Sequence, residues 1–180
     1  FKINGSGDLM IQNNSDTIYY SFLKKGKKLS FDTSIDIRNN EMIIDFLNYK
    51  KNIEKNLNIN IKGSKDQNNL IKLDLFNIKN DQDKIELNNI IFDKDFKIDK
   101  LQNAKFDYID KEDQLNKFKI VNKKNKYVLT GNLLNANHLL EKFIESSNDK
   151  KLEIFKKKIN LEIQIENIYL DKEYSIEDLQ

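Results

Sequence analysis

The sequence predicts a mainly-β fold: an extended antiparallel sheet with one short helix near residues 135–146. Three observations predict it, namely apolar residues repeating at period two, short turn signals between those runs, and a single stretch with helical spacing. Side chains of an extended strand alternate between two faces, so a period of two marks a strand with one face buried.

Ile18, Tyr20 and Phe22 form the first alternating run. In the next, Leu29, Phe31, Thr33, Ile35 and Ile37 share one face while Lys28, Ser30, Asp32, Ser34, Asp36 and Arg38 share the other. Leu57, Ile59 and Ile61 continue the pattern, as do Ile71, Leu73 and Leu75, and most clearly Ile159, Leu161, Ile163 and Ile165. Further strands are expected near Ile85 to Phe92, Phe96 to Tyr108 and Lys117 to Leu133, which makes about ten or more in all. Asp45 to Leu57 fits a helix or, through Ile43, Asp45 and Leu47, a strand.

Turn signals separate these runs at Gly5-Ser6-Gly7, Asn13 to Asp16, Lys24 to Lys28, Asn39-Asn40, Gly63 to Asp66 and Asn80 to Asp83. Such close punctuation indicates hairpins and meanders, hence an antiparallel sheet. The helix is read from Leu139, Leu140, Phe143 and Ile144, with Asn135 or Asn137 as its cap, and Ser146 to Lys151 reads as a linker. The whole chain is expected to form one segment, with a meander over 1–134, helix and linker over 135–151, and returning strands over 152–180.

Composition narrows the function. The formal net charge is +2, and Arg38 is the only arginine, so nucleic acid is not an expected partner. Without cysteine there is no disulfide, thiolate nucleophile or thiolate-bound zinc. No apolar run exceeds three residues, against the ~20 a membrane-spanning helix needs. The opening Phe1-Lys2-Ile3-Asn4 is no signal peptide, and the chain is read as an excised piece whose anchor lies outside it.

No constellation suggests catalysis. His138, the only histidine, lies among asparagines and leucines and reads as a partly exposed helical residue. Asp81-Gln82-Asp83 and Asp93-Lys94-Asp95 lack a calcium-loop pattern and read as turns, while Gly5-Ser6-Gly7 lacks the lysine and the helix of a phosphate loop. Lys24 to Lys28 reads as a solvated hairpin tip, and Tyr19, Tyr20 and Phe22 as sheet packing. The expectation is therefore no enzymatic activity, no metal and no cofactor.

What remains is the repeated apolar face. Either it is a closed core, as in a sandwich, or it is an uncovered surface for an apolar ligand. At about 0.8 kcal/mol per buried methylene, an acyl chain of about sixteen carbons gains roughly 12 kcal/mol along such a trough. The candidate lining is Leu29, Phe31, Ile35, Ile37, Leu57, Ile59, Ile61, Ile71, Leu73, Leu75, Ile159, Leu161, Ile163 and Ile165.

The C-terminal third carries a resemblance. Tyr127-Val128-Leu129-Thr130-Gly131-Asn132-Leu133-Leu134-Asn135-Ala136-Asn137-His138-Leu139-Leu140 reads as a strand, a glycine, and a short helix opening on small polar residues. A polar linker precedes the run Phe155 to Ile165, and Ile168-Tyr169-Leu170, Tyr174-Ser175-Ile176 and Leu179 follow. This succession, over about the last 55 residues, resembles the AsmA-like envelope proteins of Gram-negative bacteria, particularly the YhdP- and TamB-like members. The resemblance implies that the extended antiparallel sheet is curved into an open trough, taco-like in section, in the periplasm, part of an inner-membrane-anchored protein that passes phospholipid to the outer membrane. Its partners would be phospholipid acyl chains, flanking segments of the same chain and other envelope proteins. The alternatives are a closed β-sandwich module acting through loops such as Lys24 to Lys28 or Asn80 to Asp83, and a barrel carrier resembling lipoprotein chaperones.

Overall fold

The computed structural model describes residues 1–124, 126–140, 155–156, 158–170 and 174–179. In chain order the strands are β1 (Lys2–Ile11), β2 (Asn14–Lys25), β3 (Lys28–Ile37), β4 (Met42–Ile44), β5 (Tyr49–Lys51), β6 (Leu57–Lys65) and β7 (Ile71–Lys79). They continue with β8 (Lys84–Phe92), β9 (Ile98–Ile109), β10 (Leu115–Lys123), β11 (Lys126–Asn135), β12 (Leu161–Tyr169) and β13 (Ser175–Leu179).

Eleven strands form one sheet in the order β1-β2-β3-β6-β7-β8-β9-β10-β11-β12-β13, which is not closed into a barrel. The fold class is the one predicted: mainly β, with one large and mostly antiparallel sheet. Sequential neighbours pair because tight hairpins join them, as where Lys25 pairs with Lys28 across Gly26 at φ +56°. One pair is parallel, β11 with β12, and its connection contains the stretch with helical spacing. Residues 137–140 are helical, Leu140 N donating to the Ala136 carbonyl (2.9 Å) and Asn137 N to Asn135 Oδ1 (3.1 Å). Residues 141–146 of the expected helix and the expected linker lie outside the described residues.

Three loops share one architecture that the sequence reading did not identify. In 66–70, 93–97 and 110–114 the first residue is an aspartate whose Oδ1 accepts the amides two and four positions on. The fourth residue takes a left-handed conformation, as Asn69 (φ 60°), Phe96 (φ 59°) and Asp113 (φ 59°). The aspartate thus satisfies amides that the turn removes from the ladder.

Several expectations change in detail. Gly5-Ser6-Gly7 lies inside β1, not in a turn, because a Cβ at Gly5 would stand 2.5 Å from Tyr20 Oη, and the tyrosine fills that space. The Asp45 to Leu57 stretch is neither one helix nor one strand. Asp45–Leu47 forms a 3-10 turn between β4 and β5, which pair only with each other. Strand β12 begins at Leu161 because Tyr127, beside the start of β11, pairs with Leu161, so Ile159 has no β11 backbone to pair with.

Register places Ile35, Ile59, Ile78, Ile85, Phe106 and Phe118 in one row across six strands. Much of this row is solvent-free, with Ile78 0% and Ile85 1% exposed. The opposite face is a polar ladder in which Asn58 donates to Ser34 Oγ, Asn88 to Asn103 Oδ1, and Lys62 pairs with Asp32. No helix among the described residues is long and apolar enough to cross a membrane, which says nothing of strands.

Candidate functional site

The apolar face is built by alternation and re-aimed by bulges, two of which lie at glycines while a third falls between Ile91 and Phe92. Between Lys62 and Gly63, and again between Lys117 and Phe118, the register shifts by a residue. A glycine sits at each shift, Gly63 and Gly131, where a Cβ would overlap the Lys72 or the Lys117 carbonyl oxygen. The first bulge also divides the Ile71, Leu73, Leu75 triplet. Leu73 pairs with Gly63 and Ile90 on the apolar face, whereas Leu75 pairs with Lys62 and Asn88 on the polar one.

The other expected lining residues fall into three groups. Ile37, Leu57, Ile59 and Ile165 are buried in the central core. Leu29, Phe31, Ile35, Ile61, Ile71, Leu73 and Ile163 are half-buried on the same side, and of these Ile35, Ile61, Leu73 and Ile163 pack against the core. Ile159 and Leu161 are exposed where the chain enters β12. Period two had not singled out the centre of the face, formed by Phe76, Ile78, Ile85, Ala104, Phe106 and Phe118. Its signal was present in the strands expected near 85–133, where bulges and longer loops break the count.

Two pieces of chain lie across this face. At the end formed by the 80–83 and 110–114 loops, the β4–β5 hairpin packs Met42, Ile44, Leu47 and the fully buried Tyr49 against the core. Tyr49 meets Tyr108 edge-on at 5.8 Å and donates to Asp83 Oδ2 (3.2 Å), and Tyr108 Oη donates to the Leu47 carbonyl (2.9 Å). Burial pushes the pKa of both tyrosines up, so they remain neutral donors. At the opposite end Phe155 bridges Ile98 and its ring lies 5.5 Å from that of Tyr127.

Buried polar clusters hold the hairpin and the last strands in place. Asp16, 4% exposed, accepts the Arg38 and Asn39 amides at 2.8 Å and Asn40 Nδ2 at 2.8 Å. Burial opposes its ionisation, but these donors outweigh it and hold its pKa below the ordinary carboxylate range. Lys51, 1% exposed, donates to the Arg38 and Asn40 carbonyls, and burial lowers its pKa. Asp110 Oδ2 accepts from Asn116 (3.1 Å) and Asn135 (2.8 Å), tying the end of β11 to the β9–β10 loop. None of these clusters was foreseen, because in sequence they look like surface asparagines and aspartates.

His138 Nε2 lies 3.9 Å from Asp45 Oδ1, joining the start of the helix to the inserted hairpin. Among the described residues, no three histidine or carboxylate groups converge as a metal would need. Two grooves are lined mainly by charged and polar residues. One of about 600 Å³ runs over the ladder face past Lys105, Lys119, Thr130 and Gln164, and one of about 530 Å³ lies beside Asp36, Arg38 and Asn80.

No protein-family model, curated protein or solved structure matches this chain.

Proposed function

We propose that this chain is a non-catalytic segment of a bridge-like envelope protein, resembling the AsmA-like family, whose apolar sheet face carries phospholipid acyl chains. The observation that carries the reading is one continuous apolar face on a sheet whose two outer strands, β1 and β13, each have one neighbour among the described residues. Lipid would travel over the half-buried part of that face, past Phe22, Phe31, Leu29, Leu73 and Ile71, and not through the solvent-free central row. In this reading the protein is periplasmic, inner-membrane-anchored through sequence outside this chain, and serves outer-membrane lipid homeostasis together with flanking segments and envelope partners.

A photo-crosslinking side chain at position 31, on the apolar face, should capture phospholipid in cells, and one at the neighbouring exposed position 32 should not. Equal capture at both positions, or none at 31, overturns the proposal.

The second reading is a closed module that binds partners through its loops. The complete burial of Tyr49, Ile78 and Ala104 favours it, since a face covered this well leaves its centre no ligand. It predicts no lipid capture at position 31 and loss of partner binding on changes confined to loops such as 24–28 or 80–83.

A further inference from the structure

We infer that the end of the sheet carrying the 66–70, 93–97 and 123–126 connections is a docking surface for an anionic bilayer, with Phe96 as its inserting side chain. In the three twin loops the left-handed fourth position holds Asn69, Phe96 and Asp113. Asparagine and aspartate are ordinary occupants of that conformation, whereas a bulky aromatic residue rarely holds it. Phe96 is also 72% exposed. Its loop closes through Asp93, whose amide donates to the Lys97 carbonyl (3.0 Å) and whose Oδ1 accepts two amides, so the turn does not need the ring. The fold is thus strained at this position to hold an aromatic ring out in water.

The surroundings specify the partner. Antiparallel register brings the β2–β3, β6–β7, β8–β9 and β10–β11 connections to one end of the sheet. They carry Lys24-Lys25-Gly26-Lys27-Lys28 and then Lys65, Lys94, Lys123, Lys124 and Lys126, all exposed. Leu70, 43% exposed, sits in the neighbouring loop. Among the described residues the acids at this end are largely engaged: Asp66 and Asp93 cap their loops and Glu162 pairs with Lys126, which leaves Asp95 and Asp99. The opposite end mixes Glu41, Asp45, Glu54, Asp81 and Asp113 with Arg38, Lys50, Lys55 and Lys111, so the positive excess lies at the end that carries Phe96. Lysines strung along the same sheet end as an exposed phenylalanine match an interface of anionic headgroups over acyl chains, each lysine adding about fivefold to partitioning.

The test is sedimentation of the protein with phosphatidylglycerol-containing vesicles, with phosphatidylcholine vesicles as reference. The wild type should bind the anionic vesicles and lose them in high salt. Phe96→Asn should bind about tenfold more weakly while melting no lower, because asparagine suits the loop, and Lys94→Gln with Lys124→Gln should also weaken binding. Heparin, a soluble polyanion without acyl chains, should capture wild type and Phe96→Asn equally; unchanged vesicle binding by Phe96→Asn, equal binding to both vesicle types, or a loss of heparin capture in Phe96→Asn as large as its loss of vesicle binding overturns the inference. Lipid capture at position 31 is a separate readout, so the conduit and the docking end can fail independently.

Discussion

At the scale of single residues, the fold depends on positions where no other side chain fits and on buried charges with named partners. Gly131 is one such position, since a methyl group there meets the Lys117 carbonyl and the Phe118 backbone. Gly131→Ala should cost about 2 kcal/mol in urea unfolding, because backbone and not a flexible side chain must move. Asp16 gives a pH signature. Its folded pKa is depressed, so its contribution to stability is present above the unfolded value and is lost as pH falls through the folded one. Asp16→Asn should therefore destabilise at neutral pH by about 1–3 kcal/mol, and the gap to wild type should close as pH drops below the ordinary carboxylate range. Urea titrations across an acidic pH series check both the size and the sign. Neither site was legible from the sequence: Gly131 was read only as a glycine following a strand, and Asp16 as a turn residue.

At the scale of elements, alternation was reliable wherever two strands pair without interruption. Strand β3 places Leu29, Phe31, Thr33, Ile35 and Ile37 on one face as period two implies, and β6 does the same for Leu57, Ile59 and Ile61. The reading failed at Leu75 because a bulge is a pairing event between strands that one strand's sequence does not encode. It failed again over residues 38–56, where the β4–β5 hairpin is held by Tyr49, Lys51 and partners distant in sequence. The repeated aspartate loops are open to direct experiment. Phe96→Asn should stabilise by about 1 kcal/mol and Asn69→Phe should destabilise by a similar amount, because the two positions share one conformation and one hydrogen-bond pattern. Opposite signs in paired urea curves are expected; equal signs would mean that the ring, and not the backbone, governs these loops.

At the scale of the whole molecule, the large sheet covers part of its apolar face with its own hairpin, and among the described residues its outer strands pair on one side. On β1, Ile3 is 50% and Met10 76% exposed along a ten-residue edge with one lysine. Such an edge invites strand addition. Concentration-dependent self-association should therefore appear in sedimentation velocity and should diminish in Met10→Lys. The same edge would receive a preceding strand if the chain is one segment of a longer conduit.

Native mass spectrometry of the chain released from bacterial membranes in mild detergent tests the conduit most directly. The account predicts co-purifying phospholipid that is lost in Phe31→Asp, a change on the half-buried part of the face, with cooperative unfolding retained. A lipid-free monomer, or a Phe31→Asp variant that unfolds as a core mutant does, would contradict it.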